Sequence, residues 1–457
     1  MSTPGAPVPG QVLRMVRGNT PLIVDRQLAE GGQGLVYRAT LSSGAAFAVK
    51  WFRPGPYTAR QRRAIDALVT YGRPHPAFVW PIDLVECEGF AEFGYVMPLI
   101  EERFHSFAQM LTRPEQPSFA VMAVIGRQLA DAFAALHGSG LCYRDISFGN
   151  LLVDPAQAEV VIVDNDNVGT DGGDVFVKGT LRFMAPEIVR GEALPSTATD
   201  LYSLAVFLFY LFVHGHPLEG VRTDSTYTWH EAGHRSESEL ATRHFGLEPL
   251  FVFDPDDDSN RPLPGDPMWT WWSLYPRFLQ TLFIQAFTVG LRDASLSGRV
   301  TEGVWRRALL RLRDCVSVCR DCHAAVFYDA DDPEHRCWRC NQAPPAPPLL
   351  SIPGHTIALV EGAVVTRHHL LRDRDHTTPV AVVEAHPRAP GQVVMRNLSE
   401  HPWTIVPTGE ERRLVVPNQR MAVRAMAIDL GPVQGSIRTS SPAADPSVTS
   451  GEADPPA

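Results

Sequence analysis

The sequence predicts an α+β chain: a strand-rich segment, then a helix-rich one, then a cysteine-rich module and a separate all-β domain. Three observations carry this. Between about residues 21 and 100, β-branched stretches around Val36 and Ala48-Val49 surround one helical pattern at 60 to 71. From about 117 to 314 apolar residues recur at helical spacing, as in Val121, Val124, Ile125, Leu129, Phe133 and Leu136. From 349 onward apolar and polar residues alternate between Gly, Pro and Asn turns, the pattern of half-buried strands.

The segments follow in order. Residues 1–20 are rich in Pro and Gly and read as a flexible N-terminus. The first large region runs from 21 to 314. Its longest apolar run, 201 to 213, is too short to cross a bilayer and suits a buried helix. Its last helix, 302 to 313, puts Trp305, Leu309 and Leu312 on one face and turns Arg306, Arg307, Arg311 and Arg313 to solvent. The cysteine module covers 315–342, a stiff Pro-rich linker 343–348 and the β domain 349–440. The tail, 441–457, is rich in Ser, Pro and Asp and reads as disordered. A length of 457 residues, 44% of them hydrophobic, suits several domains with a large core. A net charge of −10 argues against nucleic acid as the main partner. The N-terminus has no basic start followed by an apolar run, and seven cysteines without such a signal read as thiols or metal ligands. The expectation is a cytoplasmic protein with no membrane contact. Plentiful Arg, Ala and Pro beside scarce Lys fits a GC-rich bacterial coding bias.

Of the 41 basic residues only two, Lys50 and Lys178, are lysines. Lysine is a compact charge on a flexible stem, and a chain that otherwise writes arginine keeps it where the planar guanidinium will not serve. Lys50 ends Ala46-Phe47-Ala48-Val49-Lys50, downstream of the glycine turn Gly31-Gly32-Gln33-Gly34. Phosphoryl transfer needs a phosphate cradle, a cation on the phosphates, metal-binding oxygens and a base for the incoming hydroxyl. The glycine turn and Lys50 supply the first two. Tyr143-Arg144-Asp145-Ile146-Ser147-Phe148-Gly149-Asn150 offers a base, with an amide five residues on. Val160-Val161-Ile162-Val163-Asp164 is an apolar strand ending in a hard oxygen donor. Gly179-Thr180-Leu181-Arg182-Phe183-Met184-Ala185-Pro186-Glu187, Asp200 and Arg299 follow.

In this order the motifs resemble those of the protein kinase superfamily, most like the bacterial eukaryotic-type Ser/Thr kinases, over roughly residues 22–314. The resemblance implies a bilobal fold and the cofactors ATP and Mg²⁺. It implies that Lys50 holds the α- and β-phosphates, Asp145 orients and deprotonates the hydroxyl, and Asn150 and Asp164 hold the metal. Gly31 and Gly34 would let the loop close on the phosphates, with Val36, Ala48 and Met97 around the nucleotide. Asp200 would hold the catalytic loop and Arg299 would pair with Glu187. Thr180 would shape the substrate-docking loop, and it and Thr170 are candidate phosphorylation sites. The Gly-Thr…Ala-Pro-Glu segment favours a protein substrate over a small molecule.

Three departures bear on activity. Between Lys50 and Val85 there is no glutamate to pair with the lysine. An ungapped match back from Pro76 and Val79 puts Asp66 in that place; a two-residue gap puts Ala64 there. Asp164-Asn165-Asp166 stands where the family has D-F-G, with Asp166 facing either the metal or water. Tyr143 replaces a histidine. The chain therefore reads as an ATP-dependent Ser/Thr protein kinase, with a nucleotide-binding pseudokinase adaptor as the alternative.

Cys319-Arg320-Asp321-Cys322 and Cys337-Trp338-Arg339-Cys340 form two C-x-x-C knuckles. Their spacing fits a closed tetrahedral site for a structural zinc, and the segment resembles a zinc ribbon. His323 and His335 read as surface imidazoles, Cys315 as a buried spare thiol, Cys87 and Cys142 as core residues. The 349–440 domain is similar to forkhead-associated domains through Gly354-His355, Thr366-Arg367-His368-His369, Asn397-Leu398-Ser399 and Leu430-Gly431. That family binds phosphothreonine through an arginine whose place His355 takes. Arg367 reads as a solvated strand residue and Trp403 as core. Residues 315–440 are expected to recruit protein partners.

Overall fold

The computed structural model describes residues 5–55, 58–113, 116–171, 173, 179–223, 237–332, 336–344 and 346–439. Lys178, His335 and the expected tail fall outside the described residues. The chain divides into two compact units, Met1–Leu310 and Arg311–Ala457.

The first unit begins with six strands: β1 (Val12–Met15), β2 (Pro21–Glu30), β3 (Gly34–Leu41), β4 (Ala46–Phe52), β5 (Asp83–Cys87) and β6 (Phe93–Pro98). They close into a barrel in the order β1-β2-β3-β4-β6-β5. The N-terminal stretch expected to be loose thus contains a barrel strand. Leu13 is fully buried and pairs with Leu22 on one side and Cys87 on the other, so β1 shields two edges that would otherwise be open. Side chains alternate across a strand, so each strand feeds two environments. Leu35, Tyr37, Val49, Trp51, Val85 and Val96 fill the barrel core with Leu13 and Leu22. The register pairs Val36 with Lys50, Lys50 with Tyr95, and Ala48 with Met97. Directly paired residues share a face, so these five side chains line the other side of the sheet. Helix α1 (Thr58–Tyr71) buries Ile65 and Leu68 beside this lobe.

The rest of the first unit is mostly helical. The helix Phe119–Gly138 is long and apolar enough to span a bilayer by length and composition alone. Its inward face, from Met122 and Ile125 through Leu129 and Phe133 to Leu136, is buried in the domain, which accounts for that composition. The helix Thr197–Val213 is buried from Thr199 through Val213. Apolar on all sides, it is a central core helix. Ser196 caps its start, exchanging hydrogen bonds with Thr199, and left-handed His214 ends it. Helix Glu302–Asp314 buries Trp305, Leu309 and Leu312, as the spacing predicts. Its arginines are more engaged than a solvated face requires: Arg306 pairs with Asp131, and Arg311 with Asp329 and Asp331.

The second unit opens with a hairpin, Val316–Val318 against Ala325–Phe327. Two antiparallel sheets follow, of six and four strands, sharing one core that includes Leu350, Val365, Val383, Met395, Trp403 and Ile437. Trp403 is fully buried and its indole N–H donates to Ser399 Oγ at 3.1 Å. Arg367 is not on a strand. It opens a one-turn helix, Arg367–Leu371, because Thr366 and His369 form a reciprocal cap, and it pairs with Asp373.

Candidate active site

Contacts built by backbone geometry link the predicted catalytic residues. The loop after the strand pair Leu141–Cys142 is pinned from below: Asp200, at the start of the buried helix, accepts the backbone N–H groups of Tyr143 and, at 2.9 Å, Arg144. His137 bridges Asp200 and Glu302. Burial disfavours its charge, yet the two carboxylates more than reverse this and raise its pKa to about 9. Arg144 takes a left-handed backbone conformation, φ 78°, and its guanidinium donates to Thr170 O at 2.6 Å. Asp145 then stands half-buried at the loop's turn. Asn150 Nδ2 donates to Asp145 O at 2.8 Å and to its Oδ2 at 3.2 Å. Thr180 Oγ1 donates to Asp145 Oδ1 at 2.8 Å. Burial raises the Asp145 pKa, and the donations from Thr180 and Asn150 oppose the rise without cancelling it.

Asn150 reaches the next element through its backbone, accepting Val163 N–H at 2.9 Å. The hydroxyl of buried Tyr143 donates to Val163 O, so it steadies the residue just before Asp164. Asp164 sits in a left-handed turn, φ 55°, with its side chain 45% exposed. Its Oδ1 lies 2.9 Å from Lys50 Nζ. With Nδ2 of Asn150 committed to Asp145, the Asn150 amide oxygen and Asp164 are the hard oxygen donors that suit a divalent metal.

The candidate Lys50–Asp66 pair does not form. Asp66 is 55% exposed and pairs with Arg17 at 3.0 Å, because its turn of α1 faces solvent while Ile65 and Leu68 face inward. Lys50 instead meets Asp166, with Nζ 2.9 and 3.0 Å from its two carboxylate oxygens. Nor does Asp166 face water: its side chain has no exposed surface. The hydroxyl of Tyr95 donates to Asp166 Oδ1 at 3.2 Å. Burial would lower the Lys50 pKa, but Asp166 and Asp164 reverse this and hold it above the ordinary lysine value. Asn165 turns inward, its Nδ2 donating to Val79 O at 2.8 Å and Ile162 O at 3.1 Å. The sequence offered Asp166 only as an acid facing the metal or water, not as the lysine's partner, and Tyr95 did not stand out at all. One signal was available: a glutamate missing from α1 and an extra acid two positions after Asp164.

The nucleotide-side residues fall where the register sends them, with Val36, Ala48 and Met97 on the face that carries Lys50. The two glycines differ. A Cβ on Gly34 would lie 2.1 Å from Trp51 O, so Gly34 is required by the packing of β3 on β4. A Cβ on Gly31 would come no nearer than 4.0 Å to Gly34 O, and the loop there is open to an incoming group. Glu187 and Arg299 form the predicted buried pair.

In the second unit the sulfurs of Cys319, Cys322, Cys337 and Cys340 lie within 4.8 Å of one another. Cys319–Cys340 and Cys322–Cys337 are 3.6 and 3.5 Å apart. A tetrahedral zinc with bonds of about 2.3 Å would set its sulfurs about 3.8 Å apart, so the thiols fit that ion. The knuckles are built alike: His323 N–H donates to Cys319 O and Asn341 N–H to Cys337 O, at 3.0 and 2.8 Å. His323 and Asn341 both take left-handed turns, φ 57° and 58°, so His323 is a turn residue rather than a ligand. Burial pushes the Cys337 thiol up, but the N–H groups of Cys340 and Arg339 bring it down to about 7. Asp314, His355 and His369 also converge within 4.8 Å. There Thr366 N–H donates to His369 Nδ1 at 2.9 Å, which places the ring proton on Nε2, 3.2 Å from Asp314 Oδ2. Arg313 lies 3.1 Å from the same Nε2. A cation would have to displace that proton beside a guanidinium, so this group is a hydrogen-bonded network.

A strand-rich lobe carrying a buried lysine, set on a helical lobe carrying Asp145, Asn150 and Asp164, is an arrangement of the protein kinase type. Residues 22–245, just under half of the chain, match the family described as the protein kinase domain, which supports a likeness of this segment to the protein kinase superfamily. The serine/threonine-protein kinase pkn3 of Myxococcus xanthus is 28% identical over 214 residues, 43% of this chain and 38% of that protein. The serine/threonine-protein kinase AfsK of Streptomyces griseus is 27% identical over 216 residues, 45% of this chain and 26% of its own. Ribosomal protein S6 kinase alpha-4 of Mus musculus is 34% identical over 110 residues, 22% of this chain and 14% of its own. The chain thus spans well under half the length of these relatives.

Proposed function

We propose that the first unit transfers the γ-phosphoryl group of ATP to serine or threonine hydroxyls of a protein substrate. One observation carries the reading: Lys50 bonds Asp164, the backbone of the preceding residue Val163 bonds Asn150, and Asn150 bonds Asp145, so the lysine and the base are linked across the site. Lys50 binds the phosphates. Asp145 accepts the proton of the substrate hydroxyl, and Asn150 and Thr180 hold its carboxylate in place for that transfer. Asn150 and Asp164 would hold Mg²⁺, which supplies neutralisation of triphosphate charge. The Thr180–Asp145 contact ties the segment after the metal acid to the base, which suits docking of a hydroxyl-bearing peptide. The second unit, read as a zinc ribbon held by the four cysteines and a forkhead-associated-like β-sandwich, recruits the partner. Reduced thiols suit the cytoplasm as its place of action.

The test is incorporation of label from [γ-³²P]ATP and Mg²⁺, with zinc measured on the same preparation. Label on wild type and none on Asp164→Ala supports the kinase. Saturable nucleotide binding with no label on either supports the adaptor reading.

A further inference from the structure

We propose that Asp166 is the positioning residue that holds Lys50 in place for the nucleotide phosphates, so that helix α1 supplies no charge to the site. The proposal rests on the nucleotide-binding reading above. Three observations carry it. Asp66, the only acid in α1, is turned outward onto Arg17. Asp166 grips the lysine ammonium with both oxygens and accepts the Tyr95 hydroxyl, a geometry that fixes its carboxylate from two directions. Strand register puts Tyr95 directly across from Lys50, so lysine, acid and phenol meet inside the lobe by construction.

The two acids on Lys50 differ in a way that assigns them separate tasks. Asp164 is part-exposed and touches the lysine through Oδ1 alone. Asp166 is enclosed, so it has no open edge for a hydrated metal. With Asp164 engaged by a metal, Lys50 and the buried Asp166 carboxylate would remain as a neutral pair that needs no further partner. Assembly of the phosphate-binding lysine then follows the segment after Asp164, and inward or outward movement of α1 makes or breaks no ion pair with it.

The test uses the full chain, with the dissociation constant of the fluorescent analogue mant-ADP, the ATP KM and kcat, and the Mg²⁺ half-saturation point. Asp166→Asn should raise the mant-ADP Kd and the ATP KM by about tenfold or more, with a smaller change in kcat and an unaltered Mg²⁺ requirement. Asp166→Glu should recover part of the loss, and Asp66→Asn should stay within about twofold of wild type. Melting curves give a readout that needs no turnover. Lys50→Met strands a buried carboxylate and should lower Tm by about 5 °C or more, and adding Asp166→Asn should restore at least half of that drop. Nucleotide affinity unchanged in Asp166→Asn overturns the proposal, as does a shifted Mg²⁺ requirement there, or Tm losses that simply add. If wild type binds mant-ADP but transfers no phosphate, the kinase reading fails while the Kd series still decides the role of Asp166. If wild type binds no nucleotide, both fail.

Discussion

The nucleotide cleft and the cysteine cluster are built on opposite plans. Each cysteine knuckle is local: two thiols, one left-handed residue and one backbone hydrogen bond within five positions, repeated at Cys319–His323 and Cys337–Asn341. The cleft is distributed, with Lys50 bonded to a residue 116 positions away. Local plans fix partners by spacing. Distributed plans fix only which parts are present, and the fold chooses who meets whom. That is why the four cysteines came together as their spacing implies, while the partner of Lys50 did not.

The comparison can be broken first at the cysteines. A module of this size buries little apolar surface, so metal binding would supply its folding energy, about 10 kcal/mol. Chelation or Cys337→Ser should unfold the hairpin by circular dichroism and release one zinc, while mant-ADP affinity of the first unit stays unchanged. A hairpin that keeps its fold after chelation would sink the zinc reading. At the cleft, Asp145→Asn removes the base and should cut kcat by about 10²- to 10⁴-fold with little change in ATP KM. Asp145 must be unprotonated to act and burial raises its pKa. The acid limb of kcat/KM should therefore lie above the ordinary aspartate range, activity falling as pH drops through it.

A smaller effect probes the support beneath the loop. The folded state holds the His137 proton with a pKa of about 9 against an ordinary 6.5, a difference of about 3 kcal/mol. That stabilisation is complete below pH 6.5 and is lost as pH rises through 9. Urea titrations between pH 6 and 10 should show the decline in wild type and a flatter profile in His137→Gln. Parallel profiles would remove His137 as its cause. The smallest change is Tyr143→Phe. It deletes the hydrogen bond to Val163 O and should cost about 1 kcal/mol, with a few-fold loss of kcat. A larger loss would mean that the phenol does more than steady the Asp164 turn.

Much of the fold was legible in residue patterns. β-branched stretches pointed to the barrel strands, period-2 alternation to the C-terminal sheets, and the uninterrupted apolar run to the central helix. β1 was missed because Pro and Gly flank a strand of only four residues, whose pairing with β5 spans most of the barrel sequence. Arg367 was misplaced because the reciprocal cap of Thr366 and His369 turns a short polar stretch into a helix. In the site, Lys50, Asp145, Asn150 and Asp164 were identifiable by type and order. Asp66 was the natural partner for Lys50 by position along the chain. What decided against it was the rotation of α1, set by Ile65 and Leu68 seeking the core, and that is a property of packing rather than of spacing.

The most direct test of the account is phosphotransfer itself: [γ-³²P]ATP and Mg²⁺ with zinc-loaded full-length protein, wild type beside Asp145→Asn and Asp164→Ala, followed by phosphoamino-acid analysis. The account predicts label on phosphoserine or phosphothreonine in wild type and loss of it in both variants. Label that persists in Asp145→Asn, or a wild type that binds nucleotide tightly and transfers nothing, would contradict it.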